Sequence, residues 1–287
     1  MTEVVIITGW RRPDFLAACF QRLEAAYDGG QHFLVSLDRR HDRKCADVAN
    51  EWIRRMGGPQ RVTLVGRHHS YQGNSYNTLT AYAEALAKNP TLVHLVEEDI
   101  FVADDYFEYH RGAHALIPNA FSVSGARNQN FPNDPEPEPG AIYLNVAYQS
   151  VAVSFRPEIL RTILPHATRQ YFRDPIGYCK RTFPHTRIPA GNAEQDGLIN
   201  RIAESGGFRT VYPTVPVAYH AGFVGYHRKG EPALVPGKAI KVAAQQLLEM
   251  DAAEMNRRAH SYPDHQWVDV RAKHTPPNRL IDWPVLP

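Results

Sequence analysis

The sequence predicts an α/β fold, a mostly parallel sheet flanked by helices, on two observations. The first is alternation: short β-branched runs and segments of helical spacing take turns from Val4 to Val96, a pattern that buries strands on both faces beneath crossover helices. The second is the run Val93-His94-Leu95-Val96-Glu97-Glu98-Asp99-Ile100-Phe101. An apolar strand there ends in three consecutive carboxylates. A buried strand end tolerates these only where solvent, basic side chains or a metal ion meet them. In an open α/β sheet that carboxyl end is also where ligands bind.

Taken in order, Val4 to Thr8 is a β-branched strand, and Asp14 to Tyr27 is a helix with Phe15, Leu16, Cys19, Phe20 and Leu23 on its apolar face. Pro13 suits the first turn of that helix. His32 to Leu37 is the next strand, Lys44 to Met56 a helix, Arg61 to Val65 a strand, Ser75 to Lys88 a helix and Leu92 to Val96 a strand. Asp104 to Leu116 follows as a helix and Phe121 to Gly125 as a strand. The proline-rich stretch Asn128 to Gly140 forms neither helix nor interior strand and marks a loop, lid or seam. Beyond it the sequence predicts a strand around Ala147 to Val153, a short helix from Pro157, and an aromatic and basic loop from Gln170 to His185. A helix from Ala193 to Glu204, strands at Arg209 to Tyr212 and Val215 to Tyr219, and a long helix near Lys238 to His260 complete the order. The expected organisation is a nucleotide-binding half over 1–127, an acceptor and catalytic half over 128–235, and a terminal helix and tail over 236–287.

Composition narrows the function. The 32 Lys and Arg nearly balance 30 Asp and Glu, and a formal net charge of +2 argues against a dedicated nucleic-acid binder. Cys19, Cys45 and Cys179 have no paired or zinc-like spacing, which suits free thiols and a cytoplasmic location. No secretory leader and no run of about 18 apolar residues is expected to tether the chain to a membrane.

Two phosphate-binding signatures are absent. After the first strand, Thr8-Gly9-Trp10-Arg11-Arg12-Pro13 lacks the Gly-x-Gly-x-x-Gly turn of dinucleotide sites, and no Gly-x-x-x-x-Gly-Lys-Ser/Thr loop occurs. A nucleotide enzyme built on this sheet needs another way to neutralise a diphosphate, and a metal held by the strand-end acids supplies one.

The acidic run, with the alternating elements before it, resembles the nucleotide-sugar glycosyltransferases of the GT-A (Rossmann-like) fold. The segment Val96-Glu97-Glu98-Asp99-Ile100-Phe101-Val102-Ala103-Asp104-Asp105-Tyr106-Phe107-Glu108-Tyr109 is similar to the Glu-Asp-Asp segment of the N-acetylglucosaminyltransferase I family, with Glu at the middle position. The resemblance implies that Asp99 ligates Mn²⁺ or Mg²⁺, that Glu98 binds water of the metal shell or the donor's ribose, and that Glu97 is a supporting, dispensable acid. It places Asp38, at the end of the second strand, against the base or ribose of the nucleotide; the alternative is an Asp capping a turn. Thr8 and Arg12 flank the same sheet end, and Arg11 or Arg12 offers guanidinium contacts to a diphosphate. Asn74 or Ser75 is expected to cap the third helix and point it at the crevice.

In the second half, Asp196 stands at the start of a helix, where inverting members of the family place the base that deprotonates the acceptor hydroxyl. Glu194 is its nearest competitor, and the alternative role is a first-turn Asp that favours the helix dipole. His220, directly after a strand, is expected as a second metal ligand and outranks His227; Arg228 and Lys229 follow as further diphosphate contacts. The aromatic loop Tyr171 to Tyr178 is expected to line an acceptor subsite or to pack beneath a loop. The function expected from the resemblance is a metal-dependent, inverting transfer of a sugar from a nucleotide donor, UDP first, to a hydroxyl acceptor. A hydroxymethylated DNA base is among the acceptors left open. The alternatives are a sugar-phosphate nucleotidyltransferase and a noncatalytic carbohydrate- or nucleic-acid-binding module.

Overall fold

The computed structural model describes residues 2–38, 43–66, 73–127 and 141–220. The first half alternates strand and helix: β1 (Glu3–Gly9), α1 (Pro13–Ala26), β2 (Gln31–Leu37), α2 (Arg43–Arg55), β3 (Val62–Gly66), α3 (Asn74–Leu86) and β4 (Val93–Glu97). A short strand β5 (Ile100–Val102), the helix α4 (Tyr106–Leu116) and the strand β6 (Ser122–Ser124) follow. The second half holds β7 (Ile142–Asn145), β8 (Val153–Phe155), α5 (Pro157–Ile163), α6 (Arg169–Arg173), α7 (Pro175–Thr182), α8 (Gln195–Ser205), β9 (Thr210–Pro213) and β10 (Ala218–His220).

Eight of these strands form one sheet in the order β3-β2-β1-β4-β8-β6-β9-β7. β1, β2, β3 and β4 run parallel, while β8 and β7 run against their neighbours. The chain winds outward from β1 to β3, then crosses by α3 to lay β4 on the other side of β1. That reversal opens a crevice at the carboxyl ends of β1 and β4, the place where open α/β sheets receive ligands. The strand-end acids sit at that position.

Alternation of side chains along β1 builds the two layers. Val5 and Ile7 join Phe33 and Val35 beneath α1, α2 and α4. Val4 and Ile6 join Leu34, Val93 and Leu95 beneath α3, α5 and α8. In the first layer Trp52 lies flat on Phe20, ring centroids 4.0 Å apart, with its edge contact to Phe33 fixing α2 against the sheet.

The structure corrects two expected elements and adds β5 and β7. The strand expected around Ala147 to Val153 begins only at its last residue, as β8, and residues 147–152 are not a strand; a further strand, β7, lies earlier and pairs with β9. The segment expected as an aromatic loop folds into α6 and α7, each begun by a side-chain cap: Thr168 accepts from the Tyr171 N–H and Asp174 from the Gly177 N–H. The unforeseen β5 pairs antiparallel with β10, setting Ile100 opposite His220. The helix expected near Lys238 to His260, with His227, Arg228 and Lys229, lies outside the described residues. All three cysteines are buried free thiols. Among the described residues no helix is long and apolar enough to cross a membrane.

Candidate active site

β4 stops at Glu97, and a two-residue turn carries Glu98 and Asp99 into β5. The Glu98 N–H donates to the Thr8 carbonyl at 2.9 Å, extending the ladder between β1 and β4 by one rung and fixing the turn beside the end of β1. Thr8 itself is buried within β1. Just beyond it Arg11 takes a left-handed backbone, φ 60°, and its guanidinium lies 4.6 Å from the Trp10 ring centroid. Arg12, next in the chain, reaches into the acid turn. Its Nε and Nη2 donate to Glu98 Oε1 at 2.9 and 2.7 Å, and its Nη1 donates to Asp99 Oδ2 at 2.8 Å. The cation that meets Glu98 and Asp99 is therefore, in the first instance, a side chain of this protein.

His220 completes the cluster. The β5–β10 pairing brings its Nε2 to 3.2 Å from Asp99 Oδ2. Burial pushes Asp99 upward, but the His220 hydrogen bond and the Arg12 charge outweigh it and hold Asp99 below the ordinary carboxylate range. Glu98 goes the other way: burial lifts it despite Arg12, and Asp99 adds to the rise. Glu97 is also lifted, by burial and then by Asp99, Asp196 and Glu98. Its Oε1 accepts from Asn74 Nδ2 at 3.0 Å.

The second half contributes Asp196. The N–H of Gln195, at the start of α8, donates to Ser75 Oγ on α3 at 2.9 Å, which docks α8 against the rim of the crevice. Asp196 Oδ1 accepts from Gln195 Nε2 at 2.7 Å, and Oδ2 accepts from Ser150 Oγ at 3.2 Å. Burial raises Asp196 to about 6; the Ser150 bond opposes this and Glu194 adds to it. The turn before α8 is clamped by the buried Arg201, which donates to the carbonyls of Asn192, Gly197, Ile188 and Pro189. Gly197 admits no side chain, because a Cβ there would run into the Asn192 carbonyl.

The structure thus brings Thr8, Arg12, Glu98, Asp99 and His220 together at the ends of β1 and β4, with Asn74 and Asp196 reaching the cluster through Glu97, and with differences from expectation in detail. Neither Asn74 nor Ser75 caps α3: Gly73, at φ 125°, is the cap residue, because both lie inside the first turn with their side chains spent on Glu97, Thr78 and Gln195. Asp38 Oδ1 accepts the Gly73 N–H at 3.1 Å and so ties the end of β2 to the start of α3. Tyr171 is buried with its hydroxyl on the Ala193 carbonyl, and Phe172 packs edge-on against Tyr76, so the aromatic segment supports α8. Sequence reasoning missed Ser150, Gln195 and Arg201. Arg201 had a signal, an arginine on the apolar side of an amphipathic helix.

The donor set at Asp99 fits a divalent ion. Asp99 Oδ1 is buried with no hydrogen-bond partner among the described residues, a carboxylate oxygen that favours a cation. Among those residues no three His, Cys, Asp or Glu side chains converge to hold a metal. Two such side chains, Asp99 and His220, meet at the turn.

No protein-family model matches the sequence, and no curated protein matches it. The structure is similar to that of the mannosyltransferase PcManGT from Pyrobaculum calidifontis in complex with GDP-Man and Mn²⁺, with 16% identity and a TM-score of 0.47, covering 75% of this chain and 57% of that one. It is similar to residues 1–349 of S. aureus TarS, with 12% identity and a TM-score of 0.43, covering 75% of this chain and 61% of that one. It is also similar to the galactosyltransferase LgtC in complex with donor and acceptor sugar analogs, with 11% identity and a TM-score of 0.39, covering 74% of this chain and 73% of that one. None of the three is an N-acetylglucosaminyltransferase I.

Proposed function

We propose that this protein is a nucleotide-sugar glycosyltransferase of the GT-A type, with a UDP donor as the first candidate and an inverting course. One observation carries the reading: the switch-point crevice holds two carboxylates of opposite character, Asp99 kept ionised by Arg12 and His220, and Asp196 raised to about 6 by burial. Environments that push two carboxyls apart assign them different work. Asp99 and His220 would hold Mn²⁺ or Mg²⁺, with Glu98 beside them, and such an ion would supply charge to offset that developing on the departing diphosphate. Arg12, pinned across the acids, presents a guanidinium next to that charge. Asp196, ionised above pH 6, takes the proton of the acceptor hydroxyl as it attacks the anomeric carbon from the face opposite the diphosphate. Glu97 supports the acid turn through Asn74.

Thermal denaturation with UDP, GDP, CDP and TDP, each with Mn²⁺, tests the reading. One nucleotide is expected to raise the midpoint, and Asp99→Ala to remove the rise. No shift with any of the four, or full transfer by Asp99→Ala in metal-free buffer, overturns it. Release of free nucleoside diphosphate from UDP-glucose and GDP-mannose separates an enzyme from a noncatalytic binder, which leaves both donors intact.

A further inference from the structure

Asp196 is set by neighbours whose only evident service is to hold it. Ser150, almost fully buried, lies in the 146–152 connection between β7 and β8. That connection is clasped to α8 by a reciprocal pair: the Tyr148 N–H donates to Asn200 Oδ1 at 2.8 Å, and Asn200 Nδ2 donates to the Tyr148 carbonyl at 3.0 Å. The same Asn200 Nδ2 donates to the Asp196 carbonyl at 2.9 Å, so the connection and the turn bearing Asp196 are fixed to one side chain. The chain then leaves through Ala152 at φ 46°, a left-handed step that a continuous strand would not contain. Gln195, 2% exposed, is anchored by its own N–H on Ser75. Its amide nitrogen and the Ser150 hydroxyl take the two oxygens of Asp196 separately, which leaves the carboxylate one orientation.

We propose that Ser150 and Gln195 are the positioning residues of Asp196, with Ser75 acting through Gln195, so that the irregular β7–β8 connection exists to orient the base. This inference rests on the reading of Asp196 as the base. The charged and titratable groups that face Asp196 are Glu97 at the end of β4, Tyr82 on α3, Tyr148 in the connection, Tyr171 on α6 and Glu194 beside it. None of these is a cation. Hydrogen bonds from uncharged donors are therefore what favours the ionised carboxylate, and their removal raises its midpoint.

The test uses the full chain with ¹³C-labelled aspartate carboxyls, the Asp196 signal being identified by its loss in Asp196→Asn. Ser150→Ala is expected to move the titration midpoint up by about half a unit to one unit. Ser150→Thr, which keeps the hydroxyl, restores it, and Gln195→Met shifts it in the same direction as Ser150→Ala. In nucleoside diphosphate release from UDP-glucose or GDP-mannose, the acid limb of kcat follows the midpoint. An unmoved midpoint in Ser150→Ala, or no rescue by Thr, overturns the positioning assignment alone. A moved midpoint together with wild-type turnover in Asp196→Asn overturns the base reading, and this inference with it.

Discussion

Two carboxylate environments share one crevice. At the acid turn, Glu98 and Asp99 are met by charge: a guanidinium bridges them and an imidazole closes on Asp99. Across the crevice, Asp196 is met by an amide and a hydroxyl, with no cation among the groups described around it. The first arrangement fixes a negative charge on Asp99 while burial lifts Glu98, and the fixed charge suits holding a cation or receiving a diphosphate beside Arg12. The second leaves the charge free to come and go near neutral pH, which suits proton transfer.

The sharpest way to break the contrast is Asp196→Asn. Turnover is expected to fall about 10²- to 10⁴-fold with nucleotide-induced thermal shifts preserved; equal losses of both would mean that Asp196 belongs with the donor-binding acids. Arg12→Met comes next. Removing one partner of a fully buried ion pair costs about 3–5 kcal/mol, and with the Arg12 side chain 21% exposed, urea denaturation at pH 7 should show a loss below that range. That loss should shrink as pH falls and the stranded acids protonate. A loss that is the same at pH 4 and pH 7 would show that Arg12 works through packing on Phe15 instead.

A third prediction separates catalysis from stability. Activity should rise with pH through about 6 as Asp196 ionises. A part of the stability that is lost in acid comes from His110 and His114, which are buried between α4 and β8 and share the Ser154 hydroxyl. Burial lowers both, His114 to about 3, with neighbouring positive charges adding. A depressed histidine contributes stability above its unfolded value near 6.5, and loses it as pH falls from there toward the folded value. The slope is about 1.4 kcal/mol per pH unit for each. Denaturation midpoints between pH 4 and 7 in His114→Gln should lose part of that slope, while the activity limb stays in place. The smallest effect is expected from Ser75→Ala, about 1 kcal/mol of stability from one hydrogen bond, read by denaturant titration.

The same division governs what was legible. The parallel half announces itself because each strand and each helix carries its own period, and the acid run marks a strand end by contrast with Val93 to Val96. Asp196 and His220 were legible as an acid opening a helix and a histidine closing a strand. What held them was not. Arg12 and Glu98 are 86 residues apart, and no local pattern pairs them. β7 was missed because four residues, Ile-Tyr-Leu-Asn, show too little alternation, whereas Val151, just ahead of β8, lent strand character to a connection that folds against α8 instead. α6 and α7 did carry signals, Thr168 before one and Asp174-Pro175 before the other, which the surrounding aromatics masked.

The bond between Gln195 and Ser75 joins residues 120 positions apart. Loop closure over such a span contributes nothing until both ends are in place, so contacts of this kind form late in folding. During synthesis the first half, with its acids and Arg12, leaves the ribosome while α8 is still unmade. The polypeptide therefore carries Arg12, Glu98 and Asp99 before Asp196, and His220 only after it, so no partly made chain that lacks β10 holds the whole cluster.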